Sequence, residues 1–407
     1  MLKLIMPSGL SRDYRTVRRF LRIMELMGSY GFRDLVENIY PNYSFRWMRQ
    51  KRTEGAPRRS RPEKLRMLFE ELGPTFVKLG QILSTRTDLI PKSYTDELGK
   101  LTEHVPPFPL DQVETIIQQE FGRPVSELFR AFSAEPLAAA SIGQVHAATL
   151  PDGMEVVVKV RRPGIVETIN TDLEIMRFIA QKMEEYSEAF ARMEPTRIVS
   201  EFAYSLRREL NYRAEAANLL LFRKNMAGTP HMKVPALIDE LSAGQVLTME
   251  RIYGDSVAAI LADPEKQARY DLKFLAEVGV NSLLSQIFEY GFFHADPHPG
   301  NIFIQPGNIL VFIDFGMMSR VSLAERNAFV KVLKYLLHDE ISLMIDCALR
   351  MTISGKFAGS RDELERDAAD LVDENINLPL EKISVARILE RLLALFDKYN
   401  SFVILPA

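Results

Sequence analysis

The sequence has little cysteine and no long hydrophobic run. Its single cysteine, Cys347, excludes a disulfide-stabilised fold and a thiolate metal site. No apolar stretch approaches the roughly 20 residues that a membrane-spanning helix requires, and no signal peptide opens the chain. The 407 residues are 47% hydrophobic and 26% charged, which excludes a disordered or collagen-like chain and is typical of two or three globular domains. We therefore expect a soluble, intracellular protein.

Positive charge is concentrated at the start of the chain. Residues 1–62 contain 14 Lys and Arg against five Asp and Glu, although the whole chain has a net charge of −3. This asymmetry predicts a basic arm that could bind anionic lipid, at about 1 kcal/mol per cation near the surface. A solvated helix face is the alternative interpretation. No recognisable nucleic-acid-binding module accompanies the arm, so we do not expect nucleic acid as a partner.

Hydrophobic periodicity divides the chain into helical regions and a few short strands. Strands are predicted at 144–150 and 155–160, joined by the turn Pro151-Asp152-Gly153, and in a hairpin around Pro306-Gly307-Asn308. Helices are predicted in the regions 11–40, 62–83, 111–121, 124–132, 168–190 and 195–226. This order of elements indicates an α+β, two-lobed protein.

Two motifs near residue 300 carry the strongest chemical signal. His294-Ala295-Asp296 through Asn301 matches H-x-D-x-x-x-x-N, and Asp314-Phe315-Gly316 follows it. Phosphoryl transfer needs one carboxylate to orient an attacking hydroxyl or water, and a carboxylate with an amide oxygen to hold magnesium. A chance D-F-G match and two surface histidines are the alternatives. Pro297 and Pro299 argue against a helical zinc site.

A lysine on a predicted strand lies upstream of these motifs. Lys159 ends Val156-Val157-Val158-Lys159, which is similar to the strand whose lysine contacts nucleotide phosphates in kinases. In isolation it is more often an ordinary strand lysine. Glu209 and Glu215 are both candidates for its acidic partner, unless they belong to a solvated helix face. Spacing alone does not choose between them.

The glycine-rich loop that covers phosphates in ordinary kinases is absent. In its place stand Ala138, Ala139, Ala140 and Ser141, followed by Ile142-Gly143-Gln144-Val145. Alanine has a Cβ and is less free than glycine to adopt left-handed dihedrals. Contact with a nucleotide is therefore expected to differ from that in an ordinary kinase.

Together with Lys78-Leu79-Gly80-Gln81, these motifs resemble those of the UbiB-type atypical kinase family, which is linked to coenzyme Q (ubiquinone) biosynthesis. The resemblance extends over roughly 65–345. It implies a two-lobed protein-kinase-like fold with an extra N-terminal helical layer that carries the K-x-G-Q motif. The cofactors it implies are ATP and Mg²⁺.

The resemblance also implies roles for individual residues. Catalytic roles fall to Asp296 and to Lys159, which would pair with Glu209. Cofactor contacts would come from the Ala-rich loop, from Lys159, and from the hinge 249–253 with Glu250, while Asn301 and Asp314 would bind the metal. Regulatory roles are implied for Lys78 and Gln81, which would obstruct an incoming peptide, and for Glu215 in the family's acidic pattern.

Two departures from ordinary kinases affect the expected function. His298 stands where lysine is common, and no Ala-Pro-Glu or long activation segment follows Gly316. We therefore do not expect phosphorylation of other proteins. The leading hypothesis is a Mg²⁺-dependent ATPase or small-molecule or lipid kinase that supports ubiquinone biosynthesis. The alternatives are a non-catalytic nucleotide sensor that binds lipid or partner proteins, and an antibiotic-type phosphotransferase.

These interpretations predict a division of the chain and a location in the cell. The division is a basic arm and linker at 1–62, a K-x-G-Q layer at 63–133, an N-lobe at 134–253 and a C-lobe at 254–407. The protein is expected at the cytoplasmic face of the inner membrane, with a membrane lipid or quinone precursor and coenzyme Q biosynthesis proteins as partners. The apolar run 401–407 suggests that a C-terminal membrane anchor is missing.

Overall fold

The chain divides into two compact units. The structure is a computed structural model that describes residues 13–39, 59–84, 86, 90–101, 106–338, 340–350, 360–376, 391 and 395. Unit 1 comprises Met1–Ala217 and Pro235–Arg251, and unit 2 comprises Asn218–Val234 and Ile252–Ala407. Both units contain helices and strands, as the predicted α+β class requires.

The elements follow one another in a fixed order along the chain. The described chain begins with helices α1 (Tyr14–Ser29), α2 (Arg33–Ile39), α3 (Arg61–Leu72), α4 (Pro74–Ser84), α5 (Lys92–Leu98), α6 (Leu110–Phe121) and α7 (Val125–Leu128). Then come β1 (Ala131–Ala139), β2 (Gly143–Thr149), β3 (Glu155–Arg161), α8 (Ile165–Tyr186), α9 (Glu188–Arg192), α10 (Pro195–Glu209), α11 (Tyr212–Asn225), β4 (Met232–Lys233), a 3₁₀ turn (Asp239–Leu241), β5 (Val246–Glu250) and β6 (Asp255–Ser256). The remainder is α12 (Val257–Ala262), α13 (Pro264–Gln267), α14 (Leu272–Leu284), a π-helical segment (Ser285–Tyr290), β7 (Phe292–His294), a 3₁₀ turn (Pro299–Asn301), β8 (Ile302–Gln305), β9 (Ile309–Phe312), β10 (Met318–Arg320), α15 (Leu323–Leu337), α16 (Ile341–Leu349) and α17 (Arg361–Ile376).

The first helix belongs to the core of unit 1. Val17, Phe20, Met24 and Met27 lie on one face of α1 and are buried in the same hydrophobic cluster as residues of α3, α4 and α8. The cations of α1 lie mainly on its other, exposed face. Within the predicted basic arm, residues 13–39 are thus packed against the body of unit 1. The predicted linker lies mostly outside the described residues.

An ion pair reinforces this packing. Arg19 donates through Nε to Asp172 Oδ1 at 2.6 Å and through Nη2 to the carbonyl of Leu72 at 2.6 Å. Asp172 is 1% exposed, and Arg19 compensates for the burial of its side chain. The pair joins α1 to α8.

The helices that carry the K-x-G-Q motif start and pack as their sequence predicts. Ser60 and Glu63 form a capping box at the start of α3, which satisfies two backbone donors. On α4, Phe76 is buried and Gly80 packs so closely that an added Cβ would overlap side-chain carbons of Leu101 and Phe69. The glycine therefore permits close approach of neighbouring helices.

An antiparallel sheet with the order β1-β2-β3-β5 forms the second part of unit 1. The predicted hairpin of β2 and β3 is confirmed, with Lys159 opposite Val145 and, on the other side, Leu247. Val156, Val158 and Val160 are fully buried on one face of β3. Since side chains alternate along a strand, Lys159 lies on the opposite face.

The segment before β2 differs from the sequence prediction. A helix was expected over 124–132, but α7 ends at Leu128 and β1 begins at Ala131. Phe132 stacks on the His146 ring with centroids 5.1 Å apart, and this cross-strand contact favours the extended form. Ala138 and Ala139 are likewise in β1, opposite Val145 and Gln144, so the expected loop is a short turn at 140–142. β-region dihedrals suit residues with a Cβ.

The long helix expected over 195–226 is interrupted. α10 ends at Glu209 and α11 begins at Tyr212. At the start of α11, the side chain of Asn211 accepts a hydrogen bond from Ala214 N at 3.3 Å. This is the helix-capping chemistry that asparagine provides. Residues 218–234, which the sequence division assigned to the N-lobe, belong to unit 2, where Phe222 packs against Phe312 and Phe315.

Unit 2 is built around short strands and helices. The predicted hairpin of β8 and β9 is confirmed, in a sheet with the order β4-β9-β8-β6, and β7 pairs with β10. Within the described residues, no helix has both the length and the hydropathy needed to cross a bilayer. The apolar run 401–407 lies outside the described residues.

Candidate active site

A buried histidine organises the motif loop in unit 2. His294 ends β7, and its Nε2 lies 2.7 Å from the carbonyl oxygen of Asp314, while its Nδ1 accepts a hydrogen bond from Asp296 N at 3.3 Å. Gln286 Oε1 accepts from His294 N at 2.9 Å. Desolvation lowers the pKa of His294, so the ring is neutral and carries its proton on Nε2. His294 therefore fixes the loop of Asp296 relative to the start of the D-F-G motif.

Asn301 and Asp314, the predicted metal ligands, lie together. β8 and β9 are antiparallel with Ile302 opposite Phe312, so the residues that flank them meet at one end of the hairpin. Asn301 Nδ2 is 3.4 Å from Asp314 Oδ2, and Asp314 Oδ1 accepts from Gly316 N at 2.9 Å. The two side chains bring carboxylate and amide groups to one point.

The oxygen atoms of this pair have the ligand chemistry that magnesium prefers. The described residues contain no group of three or more His, Cys, Asp or Glu that could enclose a metal ion. Mg²⁺ prefers oxygen ligands and commonly takes only one or two from the protein, with waters and phosphate oxygens completing its shell. Asp314 and Asn301 could supply those two ligands.

Asp296 presents an exposed carboxylate. Its backbone oxygen accepts from His298 N at 2.8 Å, and His298 Nδ1 accepts from Gly300 N at 3.1 Å. The loop is thus held by its own backbone, while the carboxylate of Asp296 is accessible to a water or hydroxyl. His298 is exposed, and its side chain turns back onto the loop.

The acidic partner of Lys159 is Glu215, and the predicted pairing with Glu209 is wrong. Lys159 Nζ lies 2.5 Å from Glu215 Oε1, and the two side chains are 16% and 6% exposed. Glu209 instead accepts from Lys78 Nζ at 2.9 Å. The break between α10 and α11 separates the two glutamates onto different helices, so each faces a different lysine.

The K-x-G-Q helix supplies the cation of a second ion pair in unit 1. Lys78 and Glu209 are both partly buried, and Gln81 Nε2 lies 3.5 Å from the carbonyl oxygen of Leu101. The polar face of α4 is therefore engaged with the protein. Whether Lys78 and Gln81 regulate the site remains a prediction.

Ser141 and Glu250, two other predicted site residues, lie next to the ends of strands in the unit 1 sheet. Ser141 is buried in the turn after β1, and its Oγ has no hydrogen-bond partner. Glu250, at the end of β5, accepts from Ala236 N at 3.2 Å and donates its own N–H to the carbonyl of Ala236 at 2.8 Å. Glu250 thus stabilises the end of the strand that was predicted to lead into the hinge.

Sequence reasoning missed two polar residues that support the motifs. Gln286 is 1% exposed on the π-helical segment and binds the backbone of His294. Asn218 Nδ2 donates to the carbonyl of Phe315 at 2.9 Å. A polar residue within the apolar run from Leu283 to Phe288 was a signal for Gln286, but no spacing rule identifies Asn218.

Known proteins resemble this chain in sequence. Residues 100–347 match the model of the ABC1 atypical kinase-like domain. A Marinobacter nauticus protein named probable protein kinase UbiB is 43% identical over 270 residues, which cover 65% of this chain and 49% of that protein. The Arabidopsis thaliana chloroplastic protein named activity of bc1 complex kinase 8 is 40% identical over 316 residues, which cover 76% of this chain and 41% of that protein.

One solved structure aligns with most of the chain. It is a Mycobacterium tuberculosis protein solved in complex with erythromycin, with 25% identity and a TM-score of 0.49 over 82% of this chain and 89% of that one. The chain spans about half the length of the curated relatives it matches. From the domain match and the identity to its relatives, the chain has a kinase-like α+β fold and belongs to the UbiB-type family of ABC1 atypical kinases.

Proposed function

We propose that this chain binds ATP with Mg²⁺ and either hydrolyses it or phosphorylates a small molecule or lipid, in support of ubiquinone biosynthesis. The observation that carries the proposal is the convergence of Asn301 and Asp314, with 3.4 Å between Nδ2 and Oδ2. His294 holds Asp314 from its backbone side, so the carboxylate is positioned before any ligand arrives. Preorganised charge of this kind is the main contribution of a phosphoryl-transfer enzyme.

The other site residues have complementary roles in the proposal. Within unit 2, Asn301 and Asp314 are the ligands for Mg²⁺. Within unit 1, Lys159 is held by Glu215, and the similarity of its strand to the lysine strand of kinases supports a role as a cation for phosphate. Asp296 accepts the proton of the attacking water or hydroxyl. The new P–O bond forms to that oxygen, the bond between the γ-phosphorus and the bridging oxygen breaks, and ADP leaves with the bond electrons.

A small acceptor is favoured over a protein acceptor. After Gly316 the chain enters β10, and Ser322 already caps α15 with Glu325. Residues 317–322 therefore leave no room for the long activation segment on which protein kinases dock peptides. We infer that the acceptor is water, a small molecule or a lipid.

A membrane location is part of the proposal. Arg15 and Arg18 are exposed on α1, and cations near an anionic surface contribute about 1 kcal/mol each. We propose peripheral binding at the cytoplasmic face of the membrane, where a lipid or quinone precursor and coenzyme Q biosynthesis proteins are available. The family and the exposed cations support this location.

Hydrolysis of ATP by the purified chain tests the proposal. Activity should require Mg²⁺ and rise when anionic liposomes are added. Asp314→Asn should lower kcat by at least about 100-fold, since it removes a charged metal ligand. Asp96→Asn, at an exposed position of unit 1, is the matched control and should retain activity. Unchanged turnover by Asp314→Asn would rule out the magnesium assignment.

A nucleotide sensor without turnover is the second candidate. The ion pair of Lys78 and Glu209 favours it, because it ties the K-x-G-Q helix to an acidic residue of the kinase-like part of unit 1. An Asp296→Asn variant that binds Mg·ATP, lacks hydrolysis and still restores ubiquinone synthesis in a deficient strain would support the sensor. Loss of that restoration would support the enzyme.

A further inference from the structure

Arg162, the residue after β3, contacts two segments that are distant in sequence. Its backbone N–H donates to the carbonyl of Ile142 at 2.7 Å, and its Nη2 donates to the carbonyls of Ala140 at 3.3 Å and Pro106 at 3.0 Å. Its guanidinium carbon lies 5.3 Å from the centroid of the Phe108 ring. Arg162 therefore joins the Ala-rich turn to the segment that precedes α6.

The segment 106–108 is held from its other side by a buried amide. Gln144 Oε1 accepts from Phe108 N at 2.9 Å, and Gln144 Nε2 donates to the carbonyl of Phe108 at 3.1 Å. The same Nε2 lies 2.9 Å from His146 Nε2, and His146 Nδ1 lies 2.8 Å from the carbonyl oxygen of Ser133. Gln144 and His146 are almost completely buried, so the segment is docked firmly on β2 next to the turn.

Two unpartnered polar atoms lie in the turn and in the arginine that binds it. Ser141 Oγ and Arg162 Nε are buried polar atoms without a hydrogen-bond partner. A buried polar atom without a partner reduces stability. The described residues 138–142 show no positive φ, so the turn lacks the adaptable backbone of a glycine-rich loop. Its conformation is set by the Ala140 N–H, which donates to the carbonyl of Gly143 at 2.8 Å, and by the donors of Arg162.

We propose that Arg162 is a positioning residue for the nucleotide. It holds the Ala140–Ile142 turn in place by binding both the turn and the segment 106–108. The inference rests on the proposed ATP binding. Carbonyl oxygens repel phosphate oxygens, and Arg162 keeps the acceptors of Ala140 and Ile142 occupied. Without its side chain the Ala140 carbonyl loses this donor, and the turn samples arrangements that do not accept a phosphate.

The contacts of Arg162 also relate the Ala140–Ile142 turn to the helices that carry the K-x-G-Q motif. The segment 106–108 follows α5 and the residue Leu101, whose side chain packs against Gly80 of the K-x-G-Q motif. A nucleotide that orders the turn should therefore also order the segment 106–108.

The experiment uses titration calorimetry to compare the Kd of the variants for a non-hydrolysable ATP analogue in the presence of Mg²⁺. Arg162→Met keeps an unbranched apolar stem and removes the side-chain donors, and should raise Kd about tenfold with kcat at saturation within about twofold. Tenfold corresponds to about 1.4 kcal/mol, close to the contribution of a single hydrogen bond from a charged group. The Kd of Arg162→Lys should lie between those of the wild type and Arg162→Met, because an ammonium group does not reproduce the planar array of donors of a guanidinium. Arg123→Gln, at an exposed position, is the control.

Hydrogen exchange of the peptides that cover 106–112 and 136–146 separates positioning from general destabilisation. In the wild-type chain the analogue should slow exchange in both peptides, and in Arg162→Met this protection should be lost while that of α8 is unchanged. Phe108→Leu removes the ring beneath the guanidinium and should raise Kd about threefold. It serves as the test if Arg162→Met does not fold.

The outcomes are distinguishable. A wild-type chain without affinity for the Mg·ATP analogue refutes the proposed function itself. Binding by the wild type with equal affinity and equal protection in Arg162→Met refutes only the role of Arg162. A lower Tm for Arg162→Met without a change in Kd assigns the residue to stability alone, and also overturns the inference.

Discussion

Replacing Glu215 by glutamine tests the assignment of the ion pair in unit 1. Lys159 Nζ and Glu215 Oε1 are 2.5 Å apart, and both side chains are largely shielded from solvent. Removing one partner of a fully buried pair costs about 3–5 kcal/mol. Lys159 keeps some contact with water and the glutamine oxygen still accepts a hydrogen bond. We therefore expect Glu215→Gln to lower the free energy of unfolding of unit 1 by about 1–2 kcal/mol.

A double-mutant cycle isolates the pair from its surroundings. Lys159→Met combined with Glu215→Gln should give a coupling energy of about 1–2 kcal/mol, since contacting residues are not additive. Lys159→Met combined with Glu209→Gln should give less than about 0.5 kcal/mol, because Glu209 binds Lys78. Hydrogen exchange of the β3 amides measures these energies in unit 1 alone.

The two coupling energies, of Lys159 with Glu215 and of Lys159 with Glu209, show which glutamate is the partner of Lys159. A larger coupling of Lys159 to Glu209 than to Glu215 would refute the assignment. ATP turnover gives an independent check. Glu215→Gln should reduce it about tenfold or more, since Lys159 then lacks the group that orients it.

Three further predictions concern stability. Arg19→Met should lower the free energy of unfolding by about 3 kcal/mol in denaturant titrations, because it leaves the buried Asp172 without its cation; a change below about 0.5 kcal/mol would show that this ion pair does not stabilise the packing of α1 on α8. Gly80→Ala should lower Tm by several degrees because its Cβ would overlap packed side chains, whereas Gly279→Ala in α14 meets its nearest atom at 3.8 Å and should leave Tm unchanged or higher. Burial lowers the pKa of His294 below 6.5. On acidification the unfolded chain therefore protonates His294 before the folded chain does, and the free energy of unfolding falls below pH 6.5 by at most about 1.4 kcal/mol per pH unit. His294→Gln should flatten the dependence of Tm on pH between 6.5 and 5, and an unchanged slope would contradict a neutral buried ring.

Local sequence features predicted much of the fold and part of the site. The valine-rich run at 156–160 and the turn residues after Leu150 predicted the hairpin of β2 and β3, because strand propensity and turn chemistry depend on neighbouring residues. The motif around His294 predicted a short loop with Asp296, and the hairpin of β8 and β9 explains why Asn301 and Asp314 meet. These features lie within a few residues of one another or across a single turn.

Contacts between distant segments decided the rest. Glu209 and Glu215 are six positions apart in the sequence, and only the break at Asn211 and the packing of the helices determine which lysine each one meets. The extended form of Ala138 and Ala139 likewise depends on pairing with β2, since alanine by itself favours helix. The sequence by itself therefore determined the motifs, the hairpins and the family. The tertiary structure alone decided the ion-pair partners and the placement of α1, because burial and partner choice arise from residues that are brought together only when the chain folds.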